Sequence, residues 1–109
     1  MKVSELIGKL DLEILTSPDF ADREVKGCYI GNLLSWVMGR AEADDVWITI
    51  MNNINIVAVA SLTDAAAIIL AEGVTAEQEI INKANSQEII ILKSRKTAYE
   101  LASALSKEL

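Results

Sequence analysis

Histidine is absent from all 109 residues. That excludes a Ser-His-Asp triad, a Cys-His dyad and every zinc site built with imidazole. It also removes the commonest general base near neutral pH, although Asp, Glu, Lys, Tyr and Cys remain. A single cysteine cannot close an internal disulfide, which fits a reducing cytoplasm. One proline and five glycines leave few breaks, so regular elements with short loops are expected. The longest apolar run, Ala65–Ala71, falls far short of the ~18 residues of a membrane span. The opening MKVSELIGKL reads as a short helix rather than an apolar leader. Basic residues are scarce too, 10 Lys+Arg against 16 Asp+Glu. A net charge of −6 argues against nucleic acid and against an anionic membrane surface as partners.

Apolar residues, by contrast, make up 51% of the chain, which excludes disorder and provides for one core in a single domain, 1–109. Their spacing sets the elements. Val3–Leu10 repeats at 3, 4 and 7 and reads as a helix, and Asp11–Thr16 reads as a strand. Ser17-Pro18-Asp19 is a turn, and Glu24–Ile30 is a second strand. Asn32 is placed as the N-cap of a helix over 33–43, with a stripe of Leu33, Leu34, Val37, Met38 and Ala41. Val46–Met51, Ala66–Ala71 and Glu88–Lys93 are apolar segments typical of strands buried on both faces.

Helices fill the intervals. Ile54 to about Asp64 keeps helical spacing. Thr75–Gln78 and Thr97–Glu100 both fit a capping box and open two further helices. The order predicts an α/β fold: a three-layer sandwich with a mostly parallel central sheet of about five strands and helices on both faces. The placing of the two N-terminal strands stays open.

MKVSELI, VWITIMNNINIVAVASL, IILAEG and TAYELA together resemble the DRTGG domain family, over most of the chain. The short stand-alone form is the nearest comparison. The resemblance extends to the DRTGG module of phosphotransacetylases and to the N-terminal, non-catalytic domain of HPr kinase/phosphorylase. It implies a regulatory or interaction module, homodimeric, bacterial and without an active site. Asn52-Asn53 stand where the family has Asp-Arg, and Ala71-Glu72-Gly73 where it has Thr-Gly-Gly. Of those positions only Gly73 keeps the family residue.

Each candidate site has a plainer reading. Asn52, Asn53 and Asn55 could hold a phosphate or carboxylate at a helix N-terminus, or simply cap the helix. Gly73 could admit a ligand close to the backbone, or supply a positive-φ turn. Arg95 and Lys96, with Ser94 and Thr97, form the one basic spot at a strand-to-helix junction, suited to an anion or to a solvated loop. Structural roles are favoured in each case. Together these junctions support a small-ligand sensor for a nucleotide or phosphorylated metabolite as the alternative function. No Walker or dinucleotide glycine motif is present, so kinase chemistry lacks its backbone site. A phosphate acceptor at Ser61 or Thr63 has no specific signal.

Cys28 reads as an inert, buried thiol. Asp44-Asp45 reads as a turn rather than a metal site, and no cofactor is implied. Trp47 is expected in the core. Trp36 lies off its helix's apolar stripe and is the candidate contact for a second copy or another protein.

Overall fold

The computed structural model describes all of residues 1–109. The chain forms five helices and five strands, which alternate from the second strand onward. They are α1 (Val3–Leu10), β1 (Glu13–Ile14), β2 (Gly27–Ile30), α2 (Leu34–Arg40), β3 (Asp45–Thr49), α3 (Asn55–Thr63), β4 (Ala67–Leu70), α4 (Gln78–Ser86), β5 (Ile91–Lys93) and α5 (Ala98–Ser106). The sheet order is β1-β5-β4-β3-β2. Strands β2 to β5 are parallel, while β1 pairs antiparallel with β5. The two N-terminal strands thus occupy opposite edges of one sheet.

Alternation along each strand divides the core in two. Val46, Ile48, Ala67, Ile69 and Leu92 face α1 and α5, where Val3, Leu6, Leu10, Leu101 and Leu105 are buried. Trp47, Ile68, Leu70 and Ile91 face α2, α3 and α4, where Val37, Ile56, Val57, Ala60, Ile80 and Ala84 are buried. This is the three-layer arrangement expected from strands without polar alternation. Both faces of the inner strands are covered, so both parities of β3 and β4 are buried.

The scarcity of glycine is met by acidic residues. Asp11 and Asp64 end α1 and α3 in the left-handed region, at φ 52° and 57°. Asp44, Glu72 and Glu88 also have positive φ. Aspartate is among the few non-glycine residues that adopt this conformation readily.

Several local expectations are corrected. Asn32 does not cap α2: Leu33 is the N-cap, and the Asn32 Oδ1 accepts from the Thr49 hydroxyl (2.8 Å) and the Ile50 amide (3.0 Å). Thr75 does not open α4, whose N-cap is Glu77. The Thr75 carbonyl instead accepts from the Asn52 side chain at 2.9 Å. Of the expected α2 stripe only Val37 is fully buried. Leu33 and Met38 are exposed, because α2 lies at the β2 edge and packs mainly against α3 on that face. The second capping box holds: the Thr97 hydroxyl accepts from the Glu100 amide, and the Glu100 carboxylate from the Thr97 amide.

No helix is long and apolar enough to cross a membrane.

Candidate functional site

In a parallel sheet, a ligand crevice opens where the loops of adjacent strands leave toward opposite faces. Here α2, α3 and α4 all cover one face, whereas α5 covers the other. The divergence therefore falls between β4 and β5, and the loops concerned are 71–77 and 94–97. Sequence reasoning singled out both loops, but their relation depends on strand order.

The crevice between them is closed by the chain itself. The Glu72 amide donates to the Lys96 carbonyl (2.9 Å), and the Gly73 amide to the Ser94 carbonyl (2.8 Å). The Ser94 amide in turn donates to the Leu70 carbonyl at 2.9 Å. Ser94 is buried, and its hydroxyl accepts from the Lys96 amide at 3.1 Å. These bonds give the 94–96 backbone a fixed course before any ligand arrives. Gly73 has φ +75°, and a Cβ built there would meet nothing within 4 Å. Its requirement is a backbone angle, not close approach.

The asparagines beside β3 also bond to their own chain. Asn52 reaches Thr75, as above, and the Asn53 Oδ1 accepts from the Asn55 amide at 2.9 Å. Ile54, not an asparagine, is the N-cap of α3. Thr97 is engaged by Glu100.

Arg95 and Lys96 stand apart from this group. Beyond the 94–96 loop, on the β1 side, lies a cleft of about 420 Å³. Lys93, Arg95 and Lys96 line it together with Asp11 and Glu13. Its two buried lining residues are Leu12 and Ser94. Asn52, Asn53, Gly73 and Thr97 do not line it. None of the three cations forms an ion pair, although Glu13 is the register partner of Lys93. Asp11, Glu13 and Lys93 were not foreseen as site residues. Only the antiparallel pairing of β1 with β5 carries the first two to the basic loop.

A second ionic cluster sits at the other end of the strands, where β3 and β4 begin. Arg23 pairs with Asp44 and, at 3.0 Å, with Asp64. Its guanidinium also donates to the carbonyls of Asp64 (2.9 Å) and Ala65 (3.0 Å). Lys26 joins Asp44 at 3.4 Å. The Asp44 carboxyl is held below the usual carboxylate range, first by the hydrogen bond from Arg23. Through these bonds the cluster ties the β1–β2 crossover to the residues that lead into β3 and β4. Asp44 and Asp45 diverge: the Asp45 carboxylate accepts from the Glu42 amide at 2.9 Å.

Cys28 lies on β2, partly buried, with its thiol pushed up to about 11 by burial and then by the Asp45 carboxylate. Trp47 is fully buried and its indole donates to the Gly31 carbonyl at 2.8 Å. Trp36 is 53% exposed, with the Arg40 guanidinium 3.8 Å from its ring centroid.

A solved structure shares the whole architecture. The chain is similar to one in the crystal structure of the CBS and DRTGG domains of the regulatory region of Clostridium perfringens pyrophosphatase, complexed with the activator diadenosine tetraphosphate. The TM-score is 0.75 at 14% identity, over 98% of this chain and 46% of that one. The chain thus spans about half the length of the protein it matches, and at that identity the likeness establishes the fold. A comparison with curated proteins returned no match. The family model for the DRTGG domain matches residues 5–107, nearly the full length. The chain belongs to the DRTGG domain family.

Proposed function

We propose that this chain is a non-catalytic regulatory or interaction module that pairs with a second copy of itself. The observation that carries the reading is the apolar surface at the β2 edge. Ile30 (47% exposed), Leu33 (58%), Trp36 (53%) and Met38 (48%) stand on or beside β2 and α2. Strand β2 pairs only with β3, so its outer edge is open as well. Exposed aromatic and aliphatic side chains beside an unpaired edge are the makings of an interface, with Trp the most frequent energetic centre. Regulation as the role is supported by the family and by the regulatory region to which the similar crystal structure belongs. Sedimentation equilibrium tests the pairing: a dimer is expected, and Trp36→Ala should raise its dissociation constant at least tenfold. A monomer at high protein concentration would refute it.

The cleft of Lys93, Arg95 and Lys96 favours a second reading, a sensor of small phosphorylated ligands. Three unpaired cations on a chain of net charge −6 converge on one concavity. Thermal shift over nucleotides and sugar phosphates tests it, since a ligand bound only by the native state raises the melting temperature.

A further inference from the structure

We infer that the cleft between β1 and the β5–α5 loop takes a phosphorylated sugar or similar polyol phosphate rather than a nucleotide. The inference rests on the sensor reading and specifies the ligand class of that site. Its volume of about 420 Å³ lies in the range of small-molecule sites.

The lining is divided by charge. Lys93, Arg95 and Lys96 come from β5 and the loop after it, while Asp11 and Glu13 come from the α1–β1 segment. Glu13 and Lys93 sit opposite one another on adjacent antiparallel strands, a position where unlike charges ordinarily meet. They form no ion pair here. Both signs are therefore left to an occupant. Cations of this kind bind phosphate oxygens through charge-assisted hydrogen bonds, and carboxylates accept from hydroxyl groups. A ligand with a phosphate at one end and hydroxyls at the other satisfies both sides. Inorganic phosphate satisfies only the first.

A nucleobase finds no partner in the same place. The chain's five aromatic residues, Phe20, Tyr29, Trp36, Trp47 and Tyr99, all lie outside the lining, and Leu12 is its single apolar residue. Base stacking on aromatic faces, worth about 1–3 kcal/mol per base, is thus lost. The loop is also fixed in advance, through the bonds of Glu72 and Gly73 to Lys96 and Ser94. Ordering it on binding costs little.

Calorimetry and thermal shift at low salt test this with glucose 6-phosphate, glucose, inorganic phosphate and adenosine monophosphate as probes. Glucose 6-phosphate should bind at least tenfold more tightly than the other three. Arg95→Ala with Lys96→Ala should weaken it at least tenfold, and so should Asp11→Asn with Glu13→Gln. All four positions are exposed, so these variants should keep the wild-type fold, checked by circular dichroism. Adenosine monophosphate binding as tightly, and lost in the Arg95/Lys96 variant, would overturn the ligand class while leaving the sensor reading intact. Binding indifferent to both double variants would place the ligand elsewhere and overturn the cleft. Stabilisation by none of the probes would overturn this inference; if a wider nucleotide and metabolite screen also failed, the sensor reading would fall with it.

Discussion

The Gly73 amide donates to the Ser94 carbonyl at 2.8 Å. This bond joins the turn after β4 to the loop after β5, across the one place where the sheet's connections diverge. It requires the Gly73 backbone at φ +75°. Gly73→Ala should cost about 1 kcal/mol, from the left-handed backbone alone, because a Cβ there meets no neighbour. Urea unfolding checks it: the midpoint should fall with the slope unchanged, and Gly73→Asn should fall less.

Arg23 and Asp44 predict an acid response. The folded-state pKa of Asp44 is lowered, chiefly by the Arg23 hydrogen bond. Its contribution is therefore present above the unfolded carboxylate value, about 4. It is lost as pH falls through the lower folded value. Arg23→Ala should lower the urea midpoint near neutrality and flatten its decline below about pH 4. Parallel midpoint-against-pH curves for the two proteins would show that the pair does not contribute.

Cys28 should be slow to react. Its thiol stands at about 11 instead of 9.0. At pH 8 that difference leaves about a hundredfold less thiolate, the reactive form. Modification by Ellman's reagent should be slow in the native protein and should accelerate in urea. Equal rates in both conditions would contradict the burial of the thiol.

The two indoles offer a direct view of the β2 edge. Trp47 is fully buried and Trp36 is 53% exposed. Trp47→Phe leaves the Gly31 carbonyl without its donor and should cost about 2 kcal/mol. In that variant the remaining emission reports Trp36 alone. Acrylamide should quench it strongly at low protein concentration and less as copies pair. Concentration-independent quenching would exclude Trp36 from the interface.

Thr97 caps α5 through the Glu100 amide at 3.2 Å. Thr97→Ala should cost about 1 kcal/mol, and Thr97→Ser almost nothing. The check is the thermal midpoint of each variant.

The legible parts of the fold were those set by local pattern. Val46–Met51, Ala66–Ala71 and Glu88–Lys93 read as buried strands because apolar residues at both parities need two covered faces, and the strands found within them are β3, β4 and β5. Thr97–Glu100 was readable as a cap because all its partners lie within four residues. The Thr75–Gln78 segment has the same pattern but a different role, as the Asn52 side chain competes for it from 23 residues away. Asn32 was drawn off its expected cap in the same way, by Thr49 and Ile50 across the neighbouring strand.

The candidate site was legible only on one side. Arg95 and Lys96 could be seen as a basic spot in the sequence. Their companions Asp11 and Glu13 could not, since more than 80 residues of chain separate them from that loop and nothing local encodes the antiparallel pairing. Arg23 gave no signal either: its partners Asp44 and Asp64 become neighbours only when β3 and β4 pair.

The sequence by itself determined the α/β class, the order of elements and the burial of three central strands, because hydrophobic period and caps act over a few residues. Tertiary structure alone decided which strands became edges, that the loops after β4 and β5 close on one another, and that acidic and basic residues from the two ends of the chain share a cleft. Those are properties of strand order, and strand order is settled by which faces pack together rather than by any single segment.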